Sequence, residues 1–248
     1  MKAWIPNVLT LLNLFCGCAA IVCLLDLQFL WAFWLLLAAG LLDVADGLVA
    51  RLLGVSSRIG KELDSLADMV SFGVVPGIIY YVFLDLQGSQ ADVLAAGFQV
   101  KWHWAAAPAF LVPLFSALRL AKFNLDDRQT DAFLGIATPT STLFAVGLML
   151  IYATDALGWR EWILSPWVLY PSILITSILL VSEIPMFSFK MKDFGWSGNQ
   201  IRYIFVASTV VLAIFLQQAA LPFIVLIYLI LNIFTWLVIG QIKKNQPS

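Results

Sequence analysis

Charge is scarce in this chain. Lys, Arg, Asp and Glu make up only 12% of its 248 residues. A soluble domain of this size needs more charge to cover its surface, which argues against one large water-soluble core. A net charge of −1 offers no basic footprint for nucleic acid, and none is expected as a partner. Histidine occurs once, at His103, between Trp102 and Trp104. Its expected place is a membrane edge, and no Ser–His pairing for nucleophilic catalysis is in prospect. The three cysteines, Cys16, Cys18 and Cys23, all fall in the first apolar run. With no histidine at metal-ligand spacing and an odd count, they are expected to pack as small apolar side chains. Linkers, low-complexity tracts and internal repeats are absent, so residues 1–248 form a single domain. A cleavable signal peptide is not expected, because the first apolar run leads straight into others and carries Asn7, Thr10 and Asn13.

Apolar residues, by contrast, make up 62% of the chain. A helix needs about 20 apolar residues to cross the bilayer core. The hydropathy pattern predicts an all-α, polytopic membrane helical bundle with about eight transmembrane helices: 7–25, 29–50, 62–84, 104–121, 137–154, 167–184, 203–219 and 222–240. The fifth span begins near Pro139, and a tight turn at Leu221-Pro222 separates the last two. With both termini cytoplasmic, 12 of the 14 Lys and Arg residues fall inside and only Lys101 and Arg160 outside. This asymmetry selects both the orientation and an even number of spans. Trp31, Trp102, Trp104, Trp159, Trp162 and Trp167 then form a belt near the outer ends. The expected location is a membrane, with the inner ends of the spans facing the cytoplasm.

Against that background, four aspartates stand out at the cytoplasmic ends of spans two and three. Asp43 and Asp46 are three apart and share a helix face; Asp64 and Asp68 are four apart and share another. Gly47 and Ala50 continue the first face and leave a shallow groove beside the carboxylates. A short loop through Gly54 and Gly60 brings the two faces together, so four carboxylates converge. Such groups repel unless something positive sits among them. An all-oxygen set suits Mg2+, Mn2+ or Ca2+ rather than zinc. A carboxylate-held metal pair suits phosphate chemistry, and Arg51 is placed to hold a phosphate or nucleotide. The competing reading is a salt network with Arg51, Arg58 and Lys61.

The spacing Asp43-x2-Asp46-Gly47-x2-Ala50-Arg51-x8-Gly60-x3-Asp64-x3-Asp68 resembles the signature of the CDP-alcohol phosphatidyltransferases at every fixed position. The resemblance implies a helical membrane fold, usually a homodimer, with a cytosol-facing cavity holding two divalent cations, Mg2+ or Mn2+. It implies transfer of a phosphatidyl group from a CDP-linked lipid to an alcohol, with release of CMP. Asp43, Asp46, Asp64 and Asp68 would be the metal ligands, and Asp68 also the base that takes the acceptor proton. Gly47, Ala50 and Gly60 would admit the donor closely, while Arg51 and Ser57 would contact its CDP group. Asn7 and Thr10, in an Asn-x-x-Thr pattern, would line the nucleotide pocket.

Further segments resemble the multi-span bacterial phosphatidylserine synthases within that family. They are Ile5 to Gly17, Ser71 to Gly77, Ala117 to Asn124 and Ser182 to Lys190. The chain departs from them at Phe133 to Pro139, where Ile136-Ala137 replaces the more usual proline after the glycine. The resemblance places a catalytic core at about 1–190, with two additional spans in 200–242. It implies CDP-diacylglycerol and L-serine as substrates in contact with membrane lipid. Serine's carboxylate needs a cation, and Arg119 and Lys122 lie at the inner end of span four; Ser71 and Asn124 would shape the pocket. Lys190 and Lys192 would attract anionic headgroups. The alternative acceptors are glycerol 3-phosphate and an inositol phosphate. A different class, a cation transporter, would carry its aspartates nearer mid-membrane on discontinuous helices.

Overall fold

The structure, a computed structural model, describes residues 4–55, 57–96, 102–125, 133–187, 195 and 199–244, and for 88–96 and 238–244 the backbone alone. Lys101, Arg128, Lys190 and Lys192 lie outside the described residues.

The chain is almost entirely helical. Helix α1 (Trp4–Leu25) turns at Leu27 into α2 (Phe29–Leu53). Gly54, at φ +61°, ends α2 in the left-handed conformation, where its N–H reaches back to the carbonyl of Arg51. Helix α3 (Arg58–Asp68) then runs without a break through a π-helical segment, Met69–Val74, into α4 (Val75–Ala96). A 3-10 turn, Trp104–Phe110, leads into α5 (Leu111–Leu125). Helix α6 (Thr138–Thr154) begins with Pro139 in its first turn, as expected. The short α7 (Arg160–Ile163) precedes α8 (Pro166–Val181), and α9 (Gln200–Leu216) and α10 (Ala220–Lys244) complete the order.

Five described helical stretches are long and apolar enough to cross a membrane: Trp4–Leu25, Phe29–Leu53, Arg58–Gln87, Trp104–Leu125 and Gln200–Leu237. Thr138–Thr154 and Pro166–Val181 are shorter apolar helices. These are the helices of an integral membrane protein. Their outward faces carry Leu, Val, Ile, Phe and Trp, which in water would form an untenable apolar surface. The stretch Arg58–Gln87 is the exception in being 78% buried, against 22–28% for the other four. It is the central helix, and the core around Val75, Ile79, Tyr80, Val82 and Phe83 is built on it.

Two local features differ from the sequence expectation. The break between the last two helices is at Gln217, which has φ +45°, and not at Leu221-Pro222. Pro222 lies inside the first turn of α10, where its missing N–H costs no helical bond. Gly60 also lies within the first turn of α3 rather than in the loop before it. Amid the helices, β1 (Phe133–Leu134) pairs antiparallel with β2 (Pro185–Met186). This small ladder ties the segment before α6 to the segment after α8, and Gly135 at φ +71° turns the chain out of it. The cysteines are free, with Cys18 exposed on α1.

Candidate active site

Three helices bring the aspartates together. Helix α1 packs along α2 and against α3, so it forms the third wall of the space between the two acidic faces. Ser57 fixes the start of α3: its side chain accepts from the N–H of Gly60 at 2.9 Å. A Cβ at Gly60 would lie 2.9 Å from Ser57 Oγ and 3.0 Å from Asn7 Oδ1, so a side chain there would displace the Ser57 cap and Asn7.

Asp43, Asp64 and Asp68 each offer a carboxylate oxygen, and these oxygens all lie within 4.8 Å of one another. Asp43 and Asp68 are in direct hydrogen-bond contact. Two carboxyl groups meet this way only by sharing a proton, and a cation between them removes that need. Asp68 Oδ1 is buried and has no hydrogen-bond donor in the protein. Asp46 stands beside this trio: it is buried, and its Oδ2 accepts from Thr10 Oγ1 at 2.5 Å. It remains within electrostatic reach of Asp64 and Asp43. His103 Nε2 lies 2.9 Å from Asp85 Oδ1, at the opposite end of the bundle. Among the described residues no ion pair joins the four aspartates to Arg51, Arg58 or Lys61, so the salt-network reading has no support in the geometry. Three hard oxygens at these separations fit a divalent cation such as Mg2+, and the partnerless Asp68 oxygen fits as one of its ligands.

A cavity of about 290 Å³ opens beside the carboxylates. Asn7, Thr10, Asp46, Gly47, Ala50, Ser57, Gly60 and Asp64 all line it. Apart from Asp46 and Asp64, expected as metal ligands, these are the residues expected to receive the donor; Arg51, also expected there, is exposed and outside the lining. A Cβ at Gly47 would meet nothing within 4 Å. The bare backbone there is not needed for packing, so the space it leaves belongs to whatever occupies the cavity. Lys61 also lines the cavity, and sequence reasoning gave it no site role. Its only signal was its position one residue after Gly60 and three before Asp64.

The residues expected to hold the acceptor separate. Arg119 is buried, donates from Nε to the carbonyl of Ile136 at 2.5 Å, lies over the ring of Phe123, and is within electrostatic reach of Asp68. Ser71 is fully buried, and its hydroxyl donates to the carbonyl of Asn13 at 3.2 Å. Asn124 donates to Ser65 Oγ at 2.8 Å, which fastens the end of α5 to α3. Lys122 is exposed on the far part of α5.

The sequence profile of the family described as CDP-alcohol phosphatidyltransferase matches residues 3–170. Among curated proteins, one from Helicobacter pylori named CDP-diacylglycerol–serine O-phosphatidyltransferase is 36% identical over 148 residues, which is 59% of this chain and 57% of that protein. Proteins of the same name from Mycobacterium leprae (36% over 162 residues, 62% of this chain, 49% of that protein) and Bacillus subtilis (31% over 149 residues, 60% and 77%) are also similar. The matched part thus spans 57% of the Helicobacter relative and 49% of the Mycobacterium leprae one.

Proposed function

The chain belongs to the CDP-alcohol phosphatidyltransferase family, and we propose that it transfers the phosphatidyl group of CDP-diacylglycerol to L-serine, giving phosphatidylserine and CMP. The observation that carries this reading is the cluster of Asp43, Asp64 and Asp68 opening onto a cavity with a bare helix backbone at Gly47. The relatives' printed names favour serine as the acceptor.

In this reading Asp43, Asp46, Asp64 and Asp68 hold two divalent cations, which when bound neutralise charge on the phosphate oxygens and on the departing CMP. Asn7, Thr10, Gly47, Ala50, Ser57 and Gly60 seat the nucleotide end of the donor, and Lys61 and Arg51 attract its phosphates. Arg119 orients the serine carboxylate. Asp68 takes the proton from the serine hydroxyl, whose oxygen attacks the lipid-side phosphorus directly. The P–O bond to CMP breaks and its electron pair leaves with CMP. No residue is required as a covalent carrier. The protein works as a homodimer with eight spans, both termini cytoplasmic and the site open to the cytoplasm of a bacterial inner membrane.

The deciding experiment supplies purified protein with CDP-diacylglycerol and Mg2+ or Mn2+, and offers serine, glycerol 3-phosphate or an inositol phosphate. Metal-dependent CMP release that responds to serine supports the assignment. Response to another alcohol alone reassigns the acceptor, and no CMP release with any of them rejects the proposed reaction.

A further inference from the structure

The inward stripe of α1 runs Pro6, Thr10, Asn13, Gly17, Ala20, Leu24. The neighbours of Asn13 on that stripe are accounted for. Thr10 donates to Asp46, and Gly17 lies against Ser71 with no room for a side chain. Asn13 itself is 0% exposed, and neither its Oδ1 nor its Nδ2 has a hydrogen-bond partner in the protein. An amide can make several hydrogen bonds, and a buried one that makes none is rare and costly. Its level in the bundle is set by its own carbonyl, which accepts from Ser71 one turn beyond Asp68. Side chains on a helix lean toward its N-terminus, so the amide leans back toward the level of Asp46 and Asp68.

Other partnerless atoms lie close to that level. Asp68 Oδ1 is buried without a partner, and so is Ser116 Oγ on α5. Ser116 packs against Gly73 in the π segment and lies one turn before Arg119. Two neutral groups able to donate or accept, one carboxylate oxygen and one nearby guanidinium together suit a small zwitterion that carries a hydroxyl.

We propose that Asn13 is a recognition residue for the acceptor, an amino alcohol bearing a carboxylate. Its carboxamide holds the polar head beside Asp68, with Oδ1 accepting from the ammonium and Nδ2 donating to an oxygen. The proposal rests on the transferase reading above and adds a residue that neither the family signature nor the charge pattern assigns.

Asn13→Leu tests it, because leucine is close in size and has no polar atom to leave bare. Two quantities are read on the purified full-length protein: the melting temperature without substrates, and CMP release as serine and CDP-diacylglycerol are varied separately. The expected result is an equal or higher Tm and a serine KM raised roughly tenfold or more, with the CDP-diacylglycerol KM within about twofold. A lower Tm with an unchanged serine KM assigns Asn13 to the packing alone, and overturns the proposal. Asn13→Ala repeats the KM measurement in a smaller side chain; a serine KM within about twofold of wild type there overturns it equally. If wild-type protein turns over a different alcohol, the serine assignment fails on its own, and the same KM comparison is made on that alcohol.

Discussion

Asp68 touches Asp43, and its Oδ1 is buried without a hydrogen-bond donor in the protein. In the proposed reaction it helps hold a cation and removes the acceptor proton. Asp68→Asn keeps the shape and loses the base, so kcat should fall by at least about 10²-fold. CDP-diacylglycerol binding, followed by calorimetry with Mg2+, should persist in weakened form; a near-normal rate removes Asp68 as the base. Gly47 makes the opposite kind of prediction. Alanine there has open space and is the better helix former, so Gly47→Ala should stabilise the fold by about 0.5–1 kcal/mol while raising the KM for CDP-diacylglycerol. Tm and KM moving in opposite senses is the signature to look for. The aspartate pairs were legible in the sequence because gaps of three and four residues put side chains on one face whatever else happens. The bond between Thr10 and Asp46 was not, since it joins residues 36 apart. Neither was the bareness of Asn13: a buried polar residue on a helical stripe looks the same whether or not it has a partner.

The helices themselves were mostly legible, because apolar runs of this length are a strong signal. What the runs do not carry is how a helix deviates along its length. The π segment after Asp68 has a cause in Pro76, which lacks the N–H that would serve the carbonyl of Phe72. Thr142 Oγ1 on α6 donates to that carbonyl instead, at 2.9 Å. The next residue, Gly77, lets α5 approach: a Cβ there would lie 2.7 Å from Pro113 Cδ, in a ring that cannot swing away. Gly77→Ala should therefore destabilise by about 1–3 kcal/mol, read as a lower Tm in detergent, with unchanged KM values in the protein that remains folded. An unaltered Tm means that α4 and α5 can separate at this point. The ladder of Phe133–Leu134 with Pro185–Met186 left no trace in the pattern, since two residues cannot display a period of two. The break at Gln217 was misplaced because proline is read as a stop, although the first turn of a helix accepts it.

At the scale of the whole molecule, the two ends of the bundle are chemically distinct. One gathers the start of α1, the turn from α2 to α3, and the end of α5 around the carboxylates. The other carries exposed Trp102, Trp104, Trp162 and Trp167, the His103–Asp85 pair, and the side chain of Gln87 donating to the carbonyl of Leu164. His103 is thus a clasp between the start of the 3-10 turn and α4. The proposed orientation rests on the 12-to-2 division of basic residues and is open to test. In a variant lacking Cys16, Cys18 and Cys23, a cysteine in place of Arg160 should react with a membrane-impermeant maleimide applied to intact cells. A cysteine in place of Arg58 should react only after the membrane is opened. Labelling of both from outside, or the reverse order, rejects the topology. The π turn adds a consequence for how such a chain can diverge. One surplus residue shifts the rotational phase of everything beyond it by about 100°. The acidic face below Met69 and the packing face above Val74 are therefore set to separate clocks. The upper half can be rebuilt around a different bundle while the carboxylates keep their bearing, and a deletion of a single residue between Met69 and Val74 would bring the clocks back into step and turn the acids away from α2.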